Sequence, residues 1–533
     1  MTGIAAPRRS ALGRATIGDQ LRRYAQHAPD RVAIVSYDAE GARETLTYGA
    51  LDRRANAVAG FLAEHGVGKG AVVAVMARNS VDYVTVWLAT LKLGAIVTGV
   101  NFTLTAGEVE QQLVHAGAVA VMADDESAPV VEQLRGSLGA VSLYLLSAPA
   151  SAEVPRGWEP FATALRSAPV EPGVELDEDD PAMLVYTSGT TAAPKGVLVS
   201  HRSYLISTTP AWTLSLGLGP GVVWLFVMPF FTIAGLGSMT SIMLCGATIV
   251  LVRTIDPPRA LELIREEKVT YMAQTPTFYL AMAQVPGFGD ESFPSLRRCI
   301  TYGGTVPARM IEAWRPVAPD VVWGTYWGQS ELSQLGAVGW FATLDDVPGG
   351  DASWIGKPVP QLEVRVVDEH GDDAEVGELI CRSPSVMLGY HRDEERTADV
   401  FRGGWLHTED IVRIDGDGNL FFVDRRKDVI KTGGMNVSSV EVERTLYTHP
   451  AVQEVAVVGV PDPYWSEAVT AFVVVRPGGT APSEEDVITH CRETLAGYKV
   501  PKAVCFVREL PKDPQGKILK RELRARASEE RPA

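Results

Sequence analysis

Short apolar runs alternate with longer amphipathic stretches over the first four hundred residues. No other feature of the chain constrains its fold as much. Ala71–Ala77 ("AVVAVMA") reads as a strand, Tyr83–Ala95 ("YVTVWLATLKLGA") as a helix, and Ile96–Val100 ("IVTGV") as a strand again. Thr105–Glu108 ("TAGE") predicts a capping box that opens the helix "EVEQQLVHAG", since Thr and Glu at this spacing satisfy each other's free N–H groups. "AVAVMAD", "AMLVY" and the pair "PPRALELIREEK" and "VTYMAQ" continue the pattern. Such alternation predicts α/β layers with mainly parallel strands. Residues 124–180 are richer in Ala, Ser, Pro and acidic groups and read as a surface excursion.

At 533 residues and 46% hydrophobic, the chain is too long for one ordinary domain. The character changes near "DRRKDVIKTGGMN". Beyond it come a helix opened by Ser438 ("SSVE"), the strands "VQEVAVVGV" and "AVTAFVVVR", a helix opened by "SEED", the strand "AVCFVREL" and a basic tail. We expect a large N-terminal domain of layered α/β subdomains over residues 1–426. A small, mobile C-terminal α+β domain is expected over 427–533, a common domain size.

A net charge of −16 argues against a general basic surface for nucleic acid. An anionic ligand must therefore be held by a local constellation. Five scattered cysteines with no C-x-x-C pair argue against a disulfide framework or a zinc site, and fit a reducing cytoplasm. The start "MTGIAAPRRSALGRA" has no apolar run behind its Arg pair, so no secretory signal is expected. Ser203–Val252 carries no charged side chain, and its second half is long enough to span a bilayer. Pro229 and interspersed Gly, Ser and Thr break it up, which favours a buried strand, loop and helix over a membrane span.

"YTSGTTAAPKGV", Tyr186–Val197, has the makings of a phosphate loop. Thr187, Ser188, Thr190 and Thr191 offer hydroxyls, Gly189 and Gly196 allow close backbone approach, and Lys195 adds charge. Lys195 precedes its glycine, so this is not a Walker loop. A polar surface turn is the plain alternative for such a stretch taken alone.

The loop resembles the signature of the adenylate-forming superfamily: acyl-CoA and aryl-CoA synthetases, luciferases and stand-alone adenylation domains. "TYGALDRRANAVAGFLAEHGVGKG", "TYGGTVP", "WGQSE", "GWLHTEDIV", "DRRKDVIKTGGMNVSSVEVE" and "LPKDPQGKILKREL" follow in that family's order, from about residue 20 to about 525. The resemblance implies a two-step reaction with ATP, Mg²⁺ and, as second substrate, CoA. An acid attacks the α-phosphorus and expels pyrophosphate, and the acyl-adenylate then passes to a nucleophile.

The resemblance also implies roles. Lys195 and the hydroxyls of the loop would hold the β- and γ-phosphates. Gly303, Gly304 and Thr305 would line the adenine, with Trp327, Gly328 and Ser330 beside it. Asp410 and Arg425 would bind the ribose, and Glu331 would help hold Mg²⁺. Lys517, in "PQGKILK", would be the catalytic lysine. Lys427 would be the hinge about which the small domain turns, bringing Lys431, Gly433 and Gly434 to a CoA tunnel.

Two departures stand out. Ala192 replaces a glycine common in the family's loop, and Thr232 stands where many CoA-forming members have a histidine. Thr232 also lacks the carboxylate that would pair with an α-amino acid. Met228, Phe231, Thr232, Ile233, Gly235, Tyr302, Trp327 and Leu335 are the expected acid pocket, shaped for a compact uncharged body. The leading expectation is an acid–CoA ligase acting on a small or aromatic carboxylic acid, as a monomer or homodimer. An adenylating enzyme with a carrier protein or amine acceptor is the alternative. So is activation of an unusual oxyacid such as nitrite, with an arylamine acceptor. A nucleotide-binding protein without activity is the remaining class.

Overall fold

The computed structural model describes residues 14–37, 41–187, 195–302, 306–476, 482–513 and 516–530. Three sheets organise the described residues. In the eight-stranded sheet, Pro181–Thr187, Ile96–Gly99, Val72–Met76, Ala118–Asp124, Leu143–Ser147 and Glu159–Pro160 run parallel in that order. Helices such as Val81–Lys92 and Ala106–Ala116 make the crossovers. Val72–Met76 is buried along its whole length, which is why it reads as an unbroken apolar run. The Thr105–Glu108 capping box forms as expected, with the Glu108 carboxylate accepting from Thr105 N–H and hydroxyl at 2.9 and 2.7 Å.

The fourteen-stranded sheet is parallel through Val32–Tyr37, Thr248–Leu251, Val223–Phe226, Tyr271–Gln274, Arg298–Thr301 and Val322–Trp327. Beyond Ala337–Phe341 it turns antiparallel, through Trp354–Pro358, Leu420–Arg425, Trp405–Ile414, Val376–Arg382 and Glu363–Val367. The parallel expectation therefore holds only for the first part. After residue 337 three of the pairs, Ala337–Phe341 with Trp354–Pro358, Glu363–Val367 with Val376–Arg382 and Trp405–Ile414 with Leu420–Arg425, are joined by short connections, which suit antiparallel neighbours, whereas parallel ones need a long crossover.

The uncharged stretch is interior. Val223–Phe226, the helix Ser238–Leu244 and Thr248–Leu251 form a strand, helix and strand within the core. No helix of the described residues is long and apolar enough to cross a membrane. Residues 124–180 differ from the expected excursion. Leu143–Ser147 and Glu159–Pro160 extend the parallel sheet, and Trp158 and Phe161 are buried beside them. The polar composition of this segment belongs to its turns and hides two short strands.

The last strand of the large sheet ends at Arg425, and the first of the five-stranded sheet begins at Ile430. That third sheet pairs Val452–Asp462 with Ser466–Val475 and packs the helices Ser439–Tyr447 and Glu484–Arg492 over an apolar core of its own. Ser438 caps its helix through the Glu441 N–H at 3.1 Å, but the Glu441 carboxylate takes Lys499 at 2.6 Å.

Candidate active site

A cleft of about 1420 Å³ opens where the C-terminal ends of the parallel strands meet the small unit. Ligands gather at such strand ends in open α/β sheets. Thr187 and Lys195 face each other as the last rung of an antiparallel pair, so they clamp the two ends of the 188–194 segment. Ser188, Gly189, Thr190, Thr191 and Ala192 lie outside the described residues, as do Gly303, Gly304 and Thr305.

Lys195 Nζ lies 5.7 Å from the centre of the Tyr390 ring. The Tyr390 hydroxyl donates to Glu331 Oε1 at 3.0 Å. Burial and the Glu331 carboxylate both push the phenol well above its ordinary range, so it stays a donor. No motif pointed to Tyr390. It arrives on the two-residue strand Gly389–Tyr390, which pairs with the strand of Lys195. Glu331 is half-buried, and no cluster of three metal-ligating side chains exists among the described residues. One carboxylate completed by phosphate oxygens is a usual arrangement for Mg²⁺, so the donor set fits that ion.

Asp410 is 1% exposed. Its Oδ2 accepts from Trp327 Nε1 and Gln329 Nε2, each at 2.8 Å. Its Oδ1 has Arg425 Nε 3.2 Å away but no hydrogen bond of proper geometry. A buried carboxylate oxygen is thus left for a donor such as a ribose hydroxyl. Asp410 and Arg425 are cross-strand partners, which fixes their separation. Gln329, in "WGQSE", is a second anchor that the motif did not single out. Gly336 makes room for the Trp327 indole, because a Cβ there would lie 2.3 Å from the ring.

Of the expected acid pocket, Phe231, Thr232, Ile233, Tyr302 and Trp327 line the cleft. Met228, Gly235 and Leu335 do not line it. Met228 is core, with its carbonyl accepting from Asn79 Nδ2 at 2.8 Å. A Cβ on Gly235 would lie 1.9 Å from the Pro229 carbonyl oxygen, so this glycine serves backbone packing. Leu335 is 2% exposed within the main core. The Thr232 hydroxyl donates to Pro229 O and accepts from Gly235 N–H, both at 3.0 Å. It caps the short π-helical turn Ile233–Gly237 and has no free donor for a ligand.

Lys517 lines the same cleft. Its backbone is pinned to Asp513, N–H to Oδ1 at 2.9 Å and carbonyl to N–H at 2.8 Å. Gly516 is at φ +82, and a Cβ added there would meet Thr275 of the large unit at ordinary contact distance. The ammonium remains open to the solvent of the cleft but is surrounded by protein. Burial, then Arg425, hold it below the usual lysine range. Lys427, in the exposed turn 426–428, is lowered by burial, then by Arg425, and feels Lys195 as well. Lys195, Arg425, Lys427 and Lys517 are therefore crowded cations in an acidic protein. The carboxylates of Asp410, Asp428 and Asp513 lie among them.

The small unit is tied across the junction by Ser439, whose N–H and hydroxyl reach Asp424 Oδ2 at 2.6 and 2.8 Å. Arg444 reaches Asp351 at 3.0 Å. Lys431, Gly433 and Gly434 are not brought to the cleft. They form an exposed hairpin whose two glycines, at φ +55 and +77, make the turn against Trp465.

The "AMP-binding enzyme" profile matches residues 21–391, and the "AMP-binding enzyme C-terminal domain" profile matches 441–517. The chain belongs to the AMP-binding enzyme family. It is an ATP-dependent, adenylate-forming ligase of the acid–CoA ligase type. It is 32% identical over 521 residues to the long-chain-fatty-acid–CoA ligase FadD13 of Mycobacterium tuberculosis, covering 96% of this chain and 98% of that one. A 2-succinylbenzoate–CoA ligase of a Geobacillus strain is 34% identical over 93% of this chain and 94% of its own. Among solved structures, the anthranilate CoA ligase AuaEII in complex with anthranoyl-AMP superposes with a TM-score of 0.87 at 29% identity, covering 97% of this chain and 98% of that one.

Proposed function

We propose that this ligase adenylates a small or aromatic carboxylic acid and passes the acyl group to CoA. The carboxylate oxygen bonds to the α-phosphorus of ATP and pyrophosphate leaves. The CoA thiol then attacks the acyl carbon and AMP leaves. The observation that carries this reading is the gathering of Lys195, Arg425, Lys427 and Lys517 on one cleft beside an Asp410 oxygen that accepts no hydrogen bond. A polyphosphate neutralises the first, and a ribose satisfies the second. The relatives that act on succinylbenzoate and anthranilate support a compact, ring-bearing acid.

Lys195 takes the phosphate tail, and Lys517 bridges the acid and the α-phosphate. Glu331, held by Tyr390, takes Mg²⁺ together with phosphate oxygens. Lys427 lies in the turn between the two units, at the proposed 426/427 boundary, and serves as the hinge. Turning there would bring Lys431, Gly433 and Gly434 towards the thiol's path. The five free cysteines, three of them buried, suit a reducing cytoplasm.

The test is release of AMP and pyrophosphate from ATP and Mg²⁺ with a panel of acids that includes nitrite, with CoA, with an arylamine, and with neither. Acid-dependent AMP that rises with CoA is expected. AMP that rises only with nitrite and an arylamine would replace this reading. No AMP with any acid would refute it.

A further inference from the structure

Two histidines outside the sequence motifs back the strand ends that carry Lys195. The strands Pro181–Thr187, Lys195–Ser200 and Gly389–Tyr390 lie side by side, and successive residues of a strand face opposite sides. Lys195 and Tyr390 share the cleft side. Tyr186, Gly196 and His391 form the row behind them. Tyr186 lies opposite Gly196, and the His391 N–H donates to Gly196 O at 2.7 Å. A Cβ on Gly196 would lie 3.3 Å from both the Tyr186 ring and His391 Cβ, so the glycine lets these two side chains close over it.

His115, in the last turn of the helix Ala106–Ala116, completes the row. Its Nδ1 is 2.7 Å from the Tyr186 hydroxyl, and its ring meets the His391 ring edge-on at 5.5 Å. Arg392, strained at φ +55, donates to the His115 carbonyl at 3.0 Å and so secures the helix end to the strand. His391 Nε2 is buried and has no hydrogen bond among the described residues. Burial, then Arg392, hold both imidazoles below the ordinary histidine range. Asp393 also faces His115, and His115 faces His391. Burial pushes the Tyr186 phenol well above its ordinary range, so it stays neutral. The row is therefore uncharged at pH 7, and a proton on either ring puts a cation beside the Arg392 guanidinium. We propose that His115 and His391 are positioning residues, which hold Lys195 at the phosphate tail of ATP while both are neutral and loosen it when either is protonated. This rests on the role given to Lys195 above.

The experiment is binding of ATP with Mg²⁺, and of AMP, to the full chain by titration calorimetry. It spans about pH 7.5 to 5.5, across the ordinary histidine value of about 6.5. AMP lacks the β- and γ-phosphates, so it does not report on Lys195. The comparison is a double variant, His115→Asn with His391→Phe. It keeps an amide for Tyr186 and a ring over Gly196, and neither replacement takes a proton. As pH falls, the wild type is expected to lose about five-fold in its preference for ATP over AMP relative to the double variant, the size of one lost hydrogen bond. His115→Leu removes the partner of Tyr186 and is expected to weaken ATP but not AMP at every pH. Thermal melting establishes that the variants fold, and if His115→Leu does not, the double variant decides alone. The same pH dependence in the wild type and the double variant overturns the inference. So does His115→Leu weakening ATP and AMP alike, the mark of a merely structural role. Lys195→Met that binds ATP as tightly as the wild type overturns the role of Lys195, and the inference with it.

Discussion

Arg444→Ala should separate the two half-reactions. Arg444 lies in the small unit and reaches Asp351 of the large one at 3.0 Å, with side-chain exposures of 25% and 32%. A partly exposed pair of this kind, screened by solvent, contributes about 1 kcal/mol. At 1.4 kcal/mol per factor of ten, its loss shifts the balance between this arrangement and a rotated one by about five-fold. Under the proposed hinge, Lys517 would leave the cleft in the rotated arrangement, so acid-dependent ATP–pyrophosphate exchange should fall by up to about that factor. Thioester formation from preformed acyl-adenylate should not fall. The loss should shrink as salt rises, because the pair is screened. The structure supplies an internal control. Arg413 holds the same Asp351 carboxylate at 3.1 Å but belongs to the large unit. Arg413→Ala should leave the ratio of the two half-reactions near that of the wild type. Equal effects of the two substitutions, or no effect of Arg444→Ala at low salt, would refute the latch.

Trp327→Phe removes one of the two donors to Asp410 Oδ2 and should raise the KM for ATP about ten-fold, the cost of about 1.5 kcal/mol for a hydrogen bond to a charged group. An unchanged KM would detach Asp410 from the nucleotide. His201 is fully buried, with its Nδ1 accepting from Ile17 N–H, and burial holds it at about 4, against about 6.5 when unfolded. Between those values the unfolded chain binds the extra proton. The stability this histidine contributes is therefore complete above pH 6.5 and is lost as pH falls towards 4, by about 3 kcal/mol. Tm should drop less steeply over that window in His201→Gln, and parallel slopes would refute the assignment.

The chemistry was legible where it sits on short, contiguous motifs at strand ends, because one strand end presents several groups to the same ligand. Lys195, Trp327 and Arg425 lie at strand ends and line one cleft, which Asp410, inside its strand, and Lys517, in a turn, line as well. Tyr390 was not legible. It is brought in by pairing with the strand of Lys195, nearly two hundred residues away in sequence, and no local pattern encodes such pairing. Thr232 was noticed for the histidine it replaces, yet its hydroxyl is spent on a π-helical turn that sequence spacing does not reveal. Met228, Gly235 and Leu335 share the aliphatic and small character of pocket walls and of cores alike.

The cluster of Lys195, Arg425, Lys427 and Lys517 has a kinetic consequence. Under the proposed roles, a point charge such as Lys195 recognises a polyphosphate by its charge and reach, so it would hold the departing pyrophosphate much as it would hold the tail of ATP. The first half-reaction then runs readily in both directions on the enzyme. Net flow towards product depends on what happens off it: hydrolysis of pyrophosphate in the surroundings, or swift capture of the adenylate by the second nucleophile.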